Sequence, residues 1–431
     1  MTLTLNWISA KIQVHIRQVG ARLRRTGMFS RKVLKWLLVL AVVAGLVGSA
    51  AALFLWALDT ATRQRFSAPW LIYLLPLAGV AMGFYYRHYG KHVSSGNHVI
   101  LGNVHADKNP VPFVLAPSII IATVATHLFG GSAGREGTAV QMGAAIAAGC
   151  GRWVATTKKA ANLLMFCGIS AGFGAVFGTP FAGAVFALEF TGHRLISRKI
   201  IPCLLTALAA DQVCLAWGIT HTPYPVIEFT RSFSTYLPIV WKLLFAAAVI
   251  ALASRFFIVA SHYAAGKMRE WFPHEALRAG VGGIVVVALF LMVGTGDYLG
   301  LGVLAENKDS LTLPRFFSAE VHAPATAWLW KLVFTVVTLS VGFKGGEVTP
   351  LFFIGAALGN ALAWFLNAPV DLFAGVGMIA FFAAATKTPW ASVIMGIELL
   401  GWHVYAPLAV CTLMAWKLSG KNSVYPNRGD L

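Results

Sequence analysis

Five carboxylates stand where few are expected. Glu136, Glu189, Asp211, Glu347 and Glu398 lie inside long apolar stretches or in the glycine-rich breaks that open them. An ionisable group at bilayer depth costs about 2.5–3.5 kcal/mol on insertion scales, so each needs a partner or a task. Two of them share a setting. Glu136 lies in Gly131-Ser-Ala-Gly-Arg-Glu136-Gly-Thr138, and Glu347 in Gly342-Phe-Lys-Gly-Gly-Glu347-Val-Thr349. Each is followed two residues later by Thr, and then by an apolar run of helical composition. The first turn of such a helix presents unpaired N–H groups and the positive end of the helix dipole. It binds anions without a buried cation. Two such termini brought together would make an anion site lined mainly by backbone amides. A Glu at its lip is a tethered competitor: ionised, it takes the seat; protonated, it leaves and an external anion enters. One residue then serves as both gate and proton carrier. The plainer reading makes each Glu a helix cap or the ion-pair partner of a neighbour such as Arg135. Glu189 and Glu398 read as structural, near helix ends where a carboxylate bonds backbone amides or a hydroxyl. Asp211 is assigned to structure as well.

Other chemistries find less support. Gly130-Gly-Ser132-Ala-Gly134 fits the G-x-S-x-G nucleophile pattern. That elbow needs a strand before it, and Ile119–Phe129 reads as part of a membrane helix. The twelve histidines show no metal spacing. The five cysteines (Cys150, Cys167, Cys203, Cys214 and Cys411) are scattered without a C-x-x-C pair and read as small buried apolar residues. Neither an enzyme nor a cofactor or metal site is expected.

The elements that must position these acids follow from composition. Of 431 residues, 58% are hydrophobic and 12% charged, with a formal net charge of +18. Soluble globular chains carry about a quarter charged residues. The figures exclude a disordered chain, an acidic soluble enzyme and a disulfide-stapled domain. A nucleic-acid binder would share the basicity but needs no membrane-length apolar blocks, so no nucleic acid is expected. A span takes roughly 20 apolar residues. Candidates fall near 36–58, 69–86, 111–129, 137–156, 163–190 and 199–219, then 237–263, 277–296, 325–342, 350–366, 373–400 and 404–419. A polar stretch, His221-Thr-Pro-Tyr-Pro-Val-Ile-Glu228, separates the two sets of six. Several runs are short or broken by Gly and Pro, and breaks at matching places in two halves point to a transport site.

The match can be counted. Phe177-Gly-Thr-Pro180 leads to Glu189, and Thr386-Lys-Thr-Pro389 leads to Glu398, each nine positions after the Pro. Gly168 and Gly377 each precede that Pro by twelve. Gly143-Ala-Ala pairs with Gly355-Ala-Ala, and the offset is 211 at Glu136/Glu347 and 209 at the prolines. Internal repetition follows. The expected organisation is a basic arm over 1–33, a membrane domain over 34–426 and a short tail over 427–431. The repeats run from about 34 to 219 and from about 237 to 426. Eight Lys and Arg lie in the first 35 residues and the first acid is Asp59, as expected for a cytoplasmic N-terminus.

At these residues the chain resembles the CLC family of chloride channels and anion/proton antiporters. Gly134-Arg135-Glu136-Gly137, with Val140-Gln141 and a following Gly, is similar to that family's gating-glutamate loop. Gly346-Glu347-Val348-Thr349-Pro350 falls where the family has a G-x-F-x-P anion-coordinating loop. Gly96-Asn97 falls where many members have G-S-G-x-P, in what reads here as a loop. Gly420-Lys421-Asn-Ser-Val-Tyr425 looks like the segment whose Tyr coordinates the central anion. The resemblance covers about residues 35 to 426. It implies an all-α polytopic CLC-type fold with two inverted-topology repeats and broken or re-entrant helices. It also implies a homodimer with one anion pathway per subunit.

Three departures sharpen the reading. Asn97 replaces a coordinating Ser, Thr138 replaces a Pro after the gating loop, and Phe190 stands where chloride/proton antiporters have a second glutamate. Glu347 and Thr349 look like the fluoride-exporting bacterial branch. The expectation is therefore an inner-membrane fluoride/proton antiporter with both termini cytoplasmic, moving halide and protons across the lipid bilayer. Glu136 and Glu347 would gate and transfer protons. Asn97, Gly134, Arg135, Gly137, Gly346, Val348, Thr349 and Tyr425 would line the anion site. The alternative is a chloride channel or chloride/proton exchanger of the same family.

Overall fold

The computed structural model of the chain describes residues 33–94, 96–104, 111–154, 157–195, 197–229 and 238–425. Most of the basic arm, 1–32, and the tail, 427–431, lie outside the described residues. Two compact units are present, Met1–Val42 and Val43–Leu431. In the first, the described residues 33–42 are helical. The second holds the site.

The described residues form helices α1 (Val33–Ser67), α2 (Leu75–His88), α3 (Asn97–Ala106), α4 (Leu115–Leu128) and α5 (Glu136–Val154). After them come α6 (Lys158–Phe177), α7 (Pro180–Phe190), α8 (Ile200–Ala216), α9 (Pro238–Trp271) and α10 (Glu275–Val293). The chain ends with α11 (Ala327–Ser340), α12 (Val348–Leu366), α13 (Val370–Thr386), α14 (Pro389–Leu400) and α15 (Tyr405–Leu418). Six stretches are long and apolar enough to cross a membrane: Val33–Ser67, Pro69–His88, Lys158–Phe177, Pro238–Trp271, Glu275–Val293 and Val348–Leu366. Six further apolar helices are 10–17 residues long, at or below the lower end of spanning length. The expected runs 163–190 and 373–400 are each two helices. Gly178, at φ 72°, ends α6 before Thr179 and Pro180 restart the chain as α7. Lys387, at φ 61°, ends α13 before Thr388 and Pro389. Asn97 opens a helix, where a loop was expected; Gly96, at φ +48°, makes the turn into it.

The matched glycines pack against each other. A Cβ built on Gly143 would strike the Gly168 carbonyl, and one on Gly355 the Gly377 carbonyl. The helix pairs α5/α6 and α12/α13 therefore approach at backbone distance at corresponding positions, as small residues allow in membranes. Buried phenylalanines fill the space beyond. Phe173 and Phe186 stack at 4.2 Å, and Phe352 meets Phe382 edge-on at 5.3 Å.

Glu189 and Glu398 show why breaks and acids recur together. The Glu398 carboxylate accepts the amides of Phe181 (3.0 Å) and Ala182 (2.7 Å). The Glu189 carboxylate accepts those of Trp390 (3.2 Å) and Ala391 (2.7 Å). Each acid near the C-terminal end of one short helix caps the N-terminus of the other. Proline at the first position of both helices removes one orphan donor, and the partner's carboxylate takes the next two. Asp211 is structural too, 3.1 Å from His221 Nε2.

Replacing Glu398 or Glu189 by Ala strips two amides of a charged acceptor. Each substitution should cost about 1–3 kcal/mol, read as a lowered midpoint for thermal unfolding in detergent. An unchanged midpoint for both would remove the reciprocal cap from the account.

Candidate functional site

The two glycine-rich breaks meet. Gly134 and Gly346 form an isolated antiparallel bridge, with Gly134 N–H donating to the Gly346 carbonyl (2.5 Å) and Gly346 N–H to the Gly134 carbonyl (2.8 Å). α5 starts two residues after one glycine and α12 two residues after the other. The bridge thus fixes two helix N-termini side by side. Only glycine fits here: a Cβ on Gly137 would lie 2.9 Å from Gly346 Cα, and one on Gly134 would lie 2.7 Å from the Glu136 carboxylate.

Glu136 occupies the junction and is 1% exposed. Its Oε2 accepts the amides of Arg135 and Thr349, both at 3.0 Å, and its Oε1 accepts the Thr349 hydroxyl in a very short contact. Three donors, two of them from the partner helix, thus surround one carboxylate. Arg135 Nε stands 3.6 Å from Glu136 Oε1, while its guanidinium donates to Thr222 Oγ1 (3.2 Å) and faces the Phe177 ring. The expected ion pair is present beside the amide seat. Glu347 is the residue before α12, and its side chain makes no capping bond. Its Oε2 is buried without a hydrogen-bond partner. Val348 and Thr349 open α12 and are each 1% exposed.

Gly134, Arg135, Glu136, Gly137, Gly346, Glu347, Val348 and Thr349 therefore converge. The other two expected residues attach to neighbouring elements. Asn97 Oδ1 accepts the side-chain amide of Gln141, on α5 (3.2 Å). Tyr425 is buried, with its ring edge-on to Phe190 at 5.0 Å and its N–H donating to Ser423 Oγ. Val424 N–H and Ser423 Oγ hold this segment to the carbonyls of Ala385 and Thr386 at the end of α13. Phe190, the departure from the two-glutamate pattern, is thus the residue against Tyr425.

Side chains that sequence reasoning passed over hold the first break in place. His127 lies between two carbonyls, Nδ1 2.7 Å from that of Thr123 and Nε2 3.0 Å from that of Ala133, its one N–H serving whichever the tautomer selects. On α11, Thr338 Oγ1 accepts the Ser132 amide and Thr335 Oγ1 meets Ser132 Oγ at 3.0 Å. Ser132 therefore follows a helix and is engaged with threonines, not set on a strand-to-helix elbow. One turn before Thr335, the fully buried Lys331 donates to the carbonyls of Tyr298 (3.1 Å) and Gly300 (2.7 Å). Spacing of Lys331, Thr335 and Thr338 on one helix face was the available signal. Thr138 pairs with Thr123 at 2.6 Å.

The chain is similar to several known proteins. Residues 78–420 match the family described as voltage gated chloride channel. A chloride/fluoride channel protein of Pseudomonas syringae pv. tomato is 40% identical over 396 residues, 91% of this chain and 86% of that protein. The crystal structure of a CLC-type fluoride/proton antiporter superposes with a TM-score of 0.83 at 32% identity, covering 90% of this chain and 96% of the other. A slow cyanobacterial chloride/proton antiporter shares the fold, with a TM-score of 0.78 at 19% identity over 89% and 94% of the two chains.

The bridge sets a testable constraint. In Gly346→Ala the new methyl would collide with the Gly137 amide. Thermal unfolding in detergent should show a loss of about 1–3 kcal/mol. Gly102→Ala, with open space around its Cβ, should be neutral or stabilising. With the bridged breaks, the acid seat between them and these matches, the chain belongs to the CLC, or voltage gated chloride channel, family of membrane proteins.

Proposed function

We propose that this protein is a CLC-type anion transporter, a fluoride/proton antiporter that exports halide, with Glu136 competing for the anion's seat. The carrying observation is that the Glu136 carboxylate sits among the amides of Arg135 and Thr349 and the Thr349 hydroxyl. A carboxylate at paired helix N-termini marks where an anion is stabilised. When Glu136 takes a proton it loses the charge that holds it there, and its donors become free for an anion. Anion entry and proton uptake are thereby linked at one side chain.

Several features support fluoride. A small, strongly hydrated anion needs short, strong donors to compensate dehydration. The Thr349 hydroxyl is such a donor, and the Asn97 amide supplies another in this reading. Glu347, with an unpaired buried oxygen beside the seat, donates a hydrogen bond to the anion when protonated and repels it when ionised. It is the second proton-handling group. Phe190, in place of a second glutamate, speaks against the relay of chloride/proton exchangers. The descriptions of two relatives, a chloride/fluoride channel protein and a fluoride/proton antiporter, point the same way. Arg135 and the amides of Gly137 and Val348 complete the anion's surroundings in this reading, with Gly134 and Gly346 lining it through the bridge that spends their own N–H groups, and Tyr425 on the same path.

The assembly is read as a homodimer in the inner membrane with both termini cytoplasmic. Exposed apolar side chains on α7, α8 and α14, among them Phe181, Ile201 and Trp390, suit burial against lipid or a second subunit. The basic N-terminal arm suits the orientation.

Purified protein in liposomes loaded with fluoride or chloride, read by ion electrodes and an internal pH dye, tests the proposal. Fluoride efflux should outrun chloride, with protons moving the other way. Faster chloride would favour the chloride alternative, and anion flux without proton movement would favour a channel. Glu136→Gln should cut proton movement by about a hundredfold or more, the scale of a positioned proton-transfer group. Glu347→Ala, which removes the donor, should lower the fluoride-to-chloride flux ratio by about tenfold, matching one charged hydrogen bond of about 1.5 kcal/mol. An unchanged ratio would return Glu347 to a structural role.

A further inference from the structure

The second break carries a cation that the Glu136 seat does not use. Lys344 lies three residues before Glu347 in Gly342-Phe-Lys-Gly-Gly-Glu347. Its Nζ donates to the Ser94 carbonyl at 2.8 Å and stands 4.4 Å from the centre of the Tyr86 ring. Tyr86 is itself fixed, buried on α2 with its hydroxyl donating to the Ser118 carbonyl (3.3 Å). The ammonium is therefore clamped between a backbone oxygen and an aromatic face, a geometry that favours a cation.

Ser94 belongs to the turn that delivers Asn97. Gly96 N–H donates to the Val93 carbonyl (3.2 Å) and Val99 N–H to the Gly96 carbonyl (3.1 Å), so the chain around Ser94 runs directly into α3. Asn97 is then bound by Gln141 of α5. Three ties thus close a triangle of three segments. Gly346–Gly134 joins the second break to the first, Gln141–Asn97 joins α5 to the turn, and Lys344–Ser94 joins the turn back to the second break. Glu275 and Arg278 of α10 are charged groups that act on the Lys344 ammonium. Arg278 Nε reaches the Val341 carbonyl at 3.4 Å and holds the start of the same break. Packing alone does not call for a cation in Lys344's place, because burying an ammonium against a neutral carbonyl is costly.

We propose that Lys344 is a positioning residue for the anion path, holding the Asn97 turn in register with the break that carries Glu347. Its charge also raises the potential where anion ligands converge. The inference rests on the proposed antiporter reading.

Liposome flux against fluoride concentration tests it with Lys344→Met, Lys344→Arg and the double variant Lys344→Met/Asn97→Ala. Lys344→Met should raise the apparent KM for fluoride about tenfold, the loss of one charged hydrogen bond, with maximal flux largely kept. Lys344→Arg should return most of the affinity, because it keeps the charge and the donor. Asn97→Ala should raise KM in the wild-type background and add little to Lys344→Met, since the turn is already out of register. A wild-type KM in Lys344→Met, failure of Arg to rescue, or fully additive effects would each overturn the role. If Lys344→Met does not fold, Tyr86→Leu loosens the other jaw of the clamp. It should shift KM in the same direction by less, and an unchanged KM would overturn the role. Wild-type liposomes without coupled proton movement would sink the antiporter reading instead. Coupled wild-type flux with an unaffected Lys344→Met variant sinks this inference alone.

Discussion

The structure depends on two backbone hydrogen bonds between Gly134 and Gly346. Peptide groups at membrane depth must be paired within the protein, since hydrocarbon offers no partner. Each break exposes several, and the breaks satisfy part of the demand in each other. That pairing places the N-termini of α5 and α12 together, where their unpaired amides and dipoles reinforce. The site follows: two positive helix ends at close range need a negative group, and the Glu136 carboxylate supplies it.

The same device is used a second time for a different end. At the start of α7 and α14 a carboxylate again meets two orphan amides, but there each acid is supplied by the other helix, Glu398 to α7 and Glu189 to α14. That arrangement locks two elements reciprocally. At Glu136 three donors from two breaks converge on a single carboxylate, and nothing reciprocates: Glu347, the matching residue, keeps an unpaired oxygen. Equivalent positions in the two halves have therefore diverged: the Glu189/Glu398 pair is reciprocal, and the Glu136 seat is not.

Positive charge is distributed with equal economy. Near the site, among the described residues, Arg135 is turned toward Thr222 and Phe177 and Lys344 is clamped between Ser94 and Tyr86. The buried Lys331 spends its donors on backbone carbonyls of the loop at 298–300. The seat itself is made of N–H and O–H dipoles. Such donors stabilise an anion without binding it so tightly that it cannot leave, which transport requires.

Much of this was legible in the residue order. Membrane-length apolar runs, the paired Gly, Thr-Pro and Glu spacings, and acids in glycine-rich breaks depend only on local composition and chain geometry. The short range of helix-breaking by Gly and Pro makes such features readable one segment at a time. The contact of Gly143 with Gly168, echoed by Gly355 with Gly377, was implicit in matched spacing but not its meaning, since a glycine reads alike whether it turns the chain or admits a neighbour. What only the tertiary structure decided was partnership. That Thr349 serves Glu136, that Glu189 and Glu398 exchange helices, and that Lys344 reaches back 250 residues to Ser94 depend on long-range placement. A side chain's type states what bond it can make; only the packing of distant helices brings the partner within reach.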